Sequence, residues 1–195
     1  ISRASYILPK DALKIKKENA KKLERKKPSL LRGRAVELSK QAERTDNVDS
    51  KIIIIKEAIE ILNDILAMPE DDFLGEFKDS QKTLEYETTI YEECFRDRAL
   101  AFSHLASILE DDKYDLLHKA FDDILRYAKS HDNEQVSRDI LRIAQPLATV
   151  SLENGHDDLC LDCCVKAYEA FAFLKPQMWF IFLGINIDEY VYKVT

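Results

Sequence analysis

From Ile52 to Met68 the apolar residues fall on two adjoining helical stripes. One holds Ile52, Ile55, Ile59, Leu62 and Leu66; the other holds Ile54, Ala58, Ile61, Ile65 and Met68. One stripe buries a helix against one neighbour, whereas two side by side bury it between two. Four consecutive isoleucines, Ile52 to Ile55, would also suit a strand, but the 3.6-residue period continues to Met68 and Pro69 then ends it. Upstream, Ala35, Leu38 and Ala42 repeat at i, i+3 and i+7. Thr45-Asp46-Asn47 supplies turn and capping types, and Asp49-Ser50 offers a further N-cap. Arg34 to Met68 therefore reads as a helical hairpin whose second arm lies deep in a core.

The rest of the chain follows the same period. With only four glycines and five prolines in 195 residues, and no alternating segments, the fold class is expected to be all-α. Pro9 to Lys27 reads as a lysine-rich helix with a thin seam of Ala12, Leu13, Ala20 and Leu23, and Pro28-Ser29 restarts the chain. After a loop around Gly75, a long helix is predicted from about Ser80 to Asp112, then a shorter one over Tyr114–Ser130. Asp132-Asn133 caps a helix over Glu134–Glu153, and Asn154-Gly155 ends it with a left-handed cap. Asp157-Asp158 opens the next, to Leu174, with carboxylates at its positive end. Pro176 breaks that helix, and a last apolar one starts near Met178. Short connections of this kind make antiparallel neighbours.

Charge is uneven. Residues 1–34 hold twelve Lys or Arg against three acids, a net +9, which leaves −16 on the remainder of a chain whose net charge is −7. The division expected is a basic helical extension over 1–28 and a helical domain over 29–195. Such a leader either contacts nucleic acid or an anionic membrane, or lies solvated or folded on the acidic body. The opening ISRASYILPK has no secretory apolar region, and Ile1 in place of Met reads as a processing boundary. The longest apolar run, 178–185, is too short to span a bilayer. Cys160, Cys163 and Cys164 crowd together in a way that suits no disulfide framework, so a reducing cytoplasm is the expected compartment.

Three stretches, in order, resemble the 14-3-3 family. LSKQAERTDNV (38–48) looks like the family's L-A-x-Q-A-E-R-Y-D-D/E-M. The end of the long helix, FSHLASILE (102–110), is similar to W-R-V-V-S-S-I-E. Leu147–Phe171 parallels the family's L-A-E-V-A through A-Y-Q-E-A-F without an insertion. The resemblance implies an antiparallel helical array of nine helices, a dimeric cup that binds phosphoserine or phosphothreonine segments of partner proteins. This chain would end in the seventh helix, so the last two helices of that array are expected to be missing from it.

The resemblance also implies site residues. Family members hold phosphate with Lys and Arg on the third helix and an Arg-Tyr pair on the fifth, a preorganised fork for a dianion. In the simplest register those positions carry Glu92, Ala99, Gln145 and Pro146. Arg98 stands one residue from the third-helix position, and Arg126-Tyr127, in DDILRYAKS, resembles the fifth-helix D-Y-Y-R-Y-L-A-E in a shifted register. Leu183, Asn186 and Ile187 would face the groove. Leu38, Ala42 and Arg44 match the family's dimer seam, so a homodimer is expected; the same stripe would also suit packing on the chain's own second arm.

Other chemistry reads as weaker. His156-x3-Cys160-x2-Cys163-Cys164 has zinc-ligand types, but on a helix, where buried core cysteines are the competing reading. Asp115-x2-His118 lacks a partner motif, and His104 and His131 are isolated. There is no P-loop, GxGxxG, HExxH or nucleophile elbow, so a non-enzymatic binding protein without a cofactor is expected. The recurring turns MPEDD, ILEDD and HDD leave a tetratricopeptide-like superhelix as the alternative, a scaffold that binds protein segments without phosphate dependence.

Overall fold

Pro28 opens the first helix, α1 (Pro28–Glu43), where its missing N–H costs no hydrogen bond and its ring presets φ. The computed structural model describes residues 27–68 and 81–174, with side chains from residue 89 onward in the second stretch. The lysine-rich segment 9–27 is therefore described only at Lys27, and Pro176 and the apolar run after it also lie outside the described residues. Among the described residues there are six helices and no strand, an all-α fold. None of these helices is long and apolar enough to cross a membrane.

The hairpin turns at Arg44 to Asn47. Of the capping types there, Asn47 is the cap: its side chain accepts the Ser50 N–H at 2.8 Å, so Asp49 and Ser50 lie inside α2 (Val48–Leu66). Asp49 keeps a carboxylate in the first turn, at the positive end of the helix. α2 buries Ile55, Ala58, Ile59, Leu62 and Ile65, and leaves Ile53 exposed. A strand would have alternated these four isoleucines; the helix sends one out and half-buries Ile52 and Ile54. The two stripes are the edges of one broad band. Its core joins Ala35 of α1 to Ala58, Leu62 and Ile65, and to Ile90 and Cys94 of the third helix, α3 (Gln81–Ala106). α2 thus shares its apolar face with two neighbours.

α3 stops at Ala106, short of the Asp112 that apolar spacing alone predicts. Ile108 and Leu109 continue the period, but Glu110, Asp111 and Asp112 would then lie at the negative end of α3. The chain instead turns. Ile108 and Leu109 both donate their N–H to the Leu105 carbonyl at 3.0 Å, and the acids precede α4 (Lys113–Ala128) at its positive end.

Two compact units divide between Asp97 and Arg98, inside α3. The expected division after residue 28 falls at the very edge of the described residues. In the first unit Arg32 of α1 donates Nε–H to Asp97 Oδ2 at 2.7 Å and also pairs with Glu93, one turn earlier on α3. Across the hairpin Arg34 pairs with Glu57, an exposed contact worth under about 1 kcal/mol.

The second unit packs α4 on α5 (Glu134–Glu153) and α5 on α6 (Asp157–Phe173). Asn133 caps α5, accepting from the N–H groups of Gln135 and Val136 at 3.0 and 3.1 Å. Pro146 lies inside α5 without breaking it, although it has no N–H to give to the Arg142 carbonyl. Small buried residues, Ala144, Ala148 and Ser151 on α5 and Cys160 and Cys163 on α6, permit close packing. Gly155 turns the chain with φ 74°, donating to Leu152 O at 3.2 Å, while His156 N–H reaches Ser151 O at 2.8 Å. This pair of bonds satisfies the last carbonyls of α5 and needs the left-handed region that glycine enters freely.

The two described glycines therefore respond oppositely to alanine. An added Cβ meets nothing within 4 Å at either position, so the backbone alone decides. Gly33→Ala, inside α1, is expected to raise stability by about 0.5–1 kcal/mol. Gly155→Ala is expected to lower it by about 1–2 kcal/mol. Urea unfolding of both variants against the parent checks the signs.

Candidate functional site

The best-formed polar site in the second unit joins α3 to α4. Arg98 directs its guanidinium at Asp123 through two parallel bonds, Nε–H to Oδ2 at 2.7 Å and Nη2–H to Oδ1 at 2.8 Å. Phe102, one turn along α3, lies under the same guanidinium, with Cζ 5.9 Å from the ring centroid. The pair is largely shielded, with side chains 19% and 7% exposed. Asp123 occupies the buried face of α4 beside Ala120, Ile124 and Tyr127. Burial pushes its carboxyl above the usual carboxylate range; the hydrogen bonds and charge of Arg98, and the charge of Arg126, pull it back in part.

Three of the expected phosphate-binding residues meet around this acid. Arg98 gives both prongs to Asp123, Arg126 is exposed one turn on along α4, and Tyr127 is buried beside them. The Tyr127 ring is covered by His131, stacked at 4.0 Å and 13°, with His131 Nδ1 3.2 Å from the Tyr127 carbonyl. Of the positions the simplest register would have used, Ala99 is fully buried, Glu92 and Pro146 are half-buried and Gln145 is exposed. Leu183, Asn186 and Ile187 lie outside the described residues. A phosphate approaching Arg98 would meet the carboxylate already held there, and like charges repel.

The expected dimer seam divides. Ala42 is fully buried within the chain, Leu38 packs half-buried against the core of its own unit, and Arg44 is exposed at the end of α1. The methyl face of Ala42 is therefore closed to a second chain in this conformation.

His156 does not join the cysteines it precedes. Its ring stacks on Tyr114 of α4 at 4.8 Å and 22°, and Tyr114 is also tilted against His118 at 6.0 Å. Cys160 and Cys163 point into the core and Cys164 is half-buried, all as free thiols. Burial, with Asp162 and the neighbouring thiols adding to it, pushes the Cys163 thiol up to about 12, and burial raises that of Cys164 as well. A zinc ligand must be a thiolate, and this environment opposes its formation. Among the described residues no three His, Cys, Asp or Glu side chains come together as a metal site.

Sequence reasoning overlooked Asp123, the residue that decides what Arg98 can do. The signal was present in part, since Asp123 is an acid on the apolar face of a strongly amphipathic helix. A second overlooked acid, Asp139, is buried on α5 and accepts from Gln135 Nε2 at 3.0 Å.

Asp123→Ala removes both bonds from a desolvated guanidinium. Breaking a buried pair from one side costs about 3–5 kcal/mol, and the partial exposure of Arg98 places this case near the lower end. Adding Arg98→Met should recover most of the loss in urea unfolding. A maleimide time course at pH 8, read by mass spectrometry, should label Cys164 first and leave Cys163 unmodified until the chain unfolds.

Comparison of the chain with protein-family models, with curated proteins and with solved structures found no match.

Proposed function

We propose that this chain is a non-enzymatic protein-interaction module of packed helical hairpins, which binds a segment of a partner protein without depending on its phosphorylation. The observation that carries this choice is the Arg98–Asp123 pair. A carboxylate already fills the two-pronged site that a phosphate would need, and a phosphate would have to displace it at the cost of leaving Asp123 buried without that partner. The described hairpins, α1–α2 and α5–α6, support a scaffold role: each joins two adjacent helices through a short turn and buries small residues between them. On these grounds the chain is closer to the tetratricopeptide-like alternative than to a phosphate clamp.

A second reading remains, an adaptor of the 14-3-3 type that grips phosphoserine or phosphothreonine with a relocated clamp. The exposed Arg126 beside Tyr127, with Arg98 across Asp123, favours it. In that reading Asp123 holds Arg98 until a phosphate exchanges with it. A homodimer belongs to that second reading, whereas a cytoplasmic location rests for either reading on the free, crowded thiols of Cys160, Cys163 and Cys164.

Matched phosphorylated and unphosphorylated peptide arrays separate the two. The expected result is equal binding within each pair, unchanged by Arg126→Ala. A phosphate-dependent gain of about tenfold, about 1.4 kcal/mol, that Arg126→Ala removes would replace the proposal with the second reading.

A further inference from the structure

The inner face of α6 is committed to the core: Cys160, Cys163, Ala170 and Phe171 are buried, and Leu174 comes after them. Its outer face is also apolar. Leu161, Val165 and Tyr168 are 52%, 44% and 67% exposed, and Ala172 continues the line. These positions, i, i+4, i+7 and i+11, form one straight stripe about 16 Å long at 1.5 Å per residue. Asp158, Asp162 and Glu169 border it on one side, and Asp157 stands at its N-terminal end on the other. A solvated helix face does not need such a stripe, and contiguous apolar surface of this kind marks an interaction site.

The segment C-terminal to α6 has matching chemistry. Leu174 leaves the helix with extended backbone, φ −75° and ψ 137°. Lys175-Pro176-Gln177 comes next, and then MWFIFLGINI, residues 178–187, which carries no charge. Connections of comparable length at 44–47, 129–133 and 154–156 each join helices that pack on one another. A three-residue link also keeps the local concentration of the next segment far above that of any separate chain. The basic segment 9–27 fits less well, since its apolar seam is thin.

We propose that residues 178–187 dock on the Leu161–Val165–Tyr168 stripe of α6 in the same chain, so that this face is an internal seam and not a surface for a partner.

The chain supplies its own probe, because Trp179 is its one tryptophan. In the full chain, Trp179 emission should be blue-shifted relative to the same chain in denaturant, resist acrylamide, and not change on dilution. Leu161→Glu with Val165→Glu should shift the emission to the red and raise acrylamide quenching severalfold toward the denatured value, with far-UV circular dichroism retained. Tyr168→Ser is the milder variant should the double substitution unfold the chain, and it should move both readings in the same direction. Trp179 quenched in the parent as in denaturant would overturn the proposal. So would shielding unchanged in the folded variants. Shielding that falls away on dilution would also overturn it, and would assign the stripe to a second copy of the chain.

Discussion

Two adjacent residues on α3, Asp97 and Arg98, each hold an ion pair, and the boundary between the two units falls between them. Asp97 accepts from Arg32 in the first unit; Arg98 donates to Asp123 in the second. In both pairs burial pushes the carboxyl above its ordinary range despite the guanidinium beside it. On the Arg32 side burial acts against the charged guanidinium, but the charge and hydrogen bond of Asp97 and the charge of Glu93 raise its pKa overall, so desolvation and attraction oppose each other within the pair. Pairs of this kind add little net stability, and their consequence is geometric: wrong registers of α3 would leave a charge buried without a partner. The apolar bands can tolerate small slips between helices. The ion pairs cannot.

This constraint shapes the functional reading as well. A phosphate clamp and a structural ion pair have the same requirement, a guanidinium fork held in a partly dry place. What separates them is whether an acid already completes the fork. Arg98 is shielded from solvent, and Asp123 completes its fork.

Much of the fold was legible because local chemistry and packing agree. The 3.6-residue period of Ile55, Ala58, Ile59 and Leu62, the Asn47 and Asn133 caps and the Gly155 turn all appear in the structure where the residues favour them. The end of α3 was misplaced because two local signals conflict there. Ile108 and Leu109 extend the apolar period, while Glu110 to Asp112 favour the start of a new helix, and the dipole term with its turn bonds prevails. The site was far less legible. Arg98 meets Asp123 across 25 positions, and His156 meets Tyr114 from a different helix. No spacing rule joins such residues; only the packing of α3 on α4, or of α4 near the start of α6, brings them together.

The described helices of the second unit differ in the groups that they expose. The inner faces of α4 and α5 are buried, and apart from Leu152 their outer faces are mainly polar. α4 presents Lys119, Asp122 and Arg126, and α5 presents Arg142 and Gln145. Contacts through such groups steer association and select partners more than they hold them, and they weaken as salt screens them.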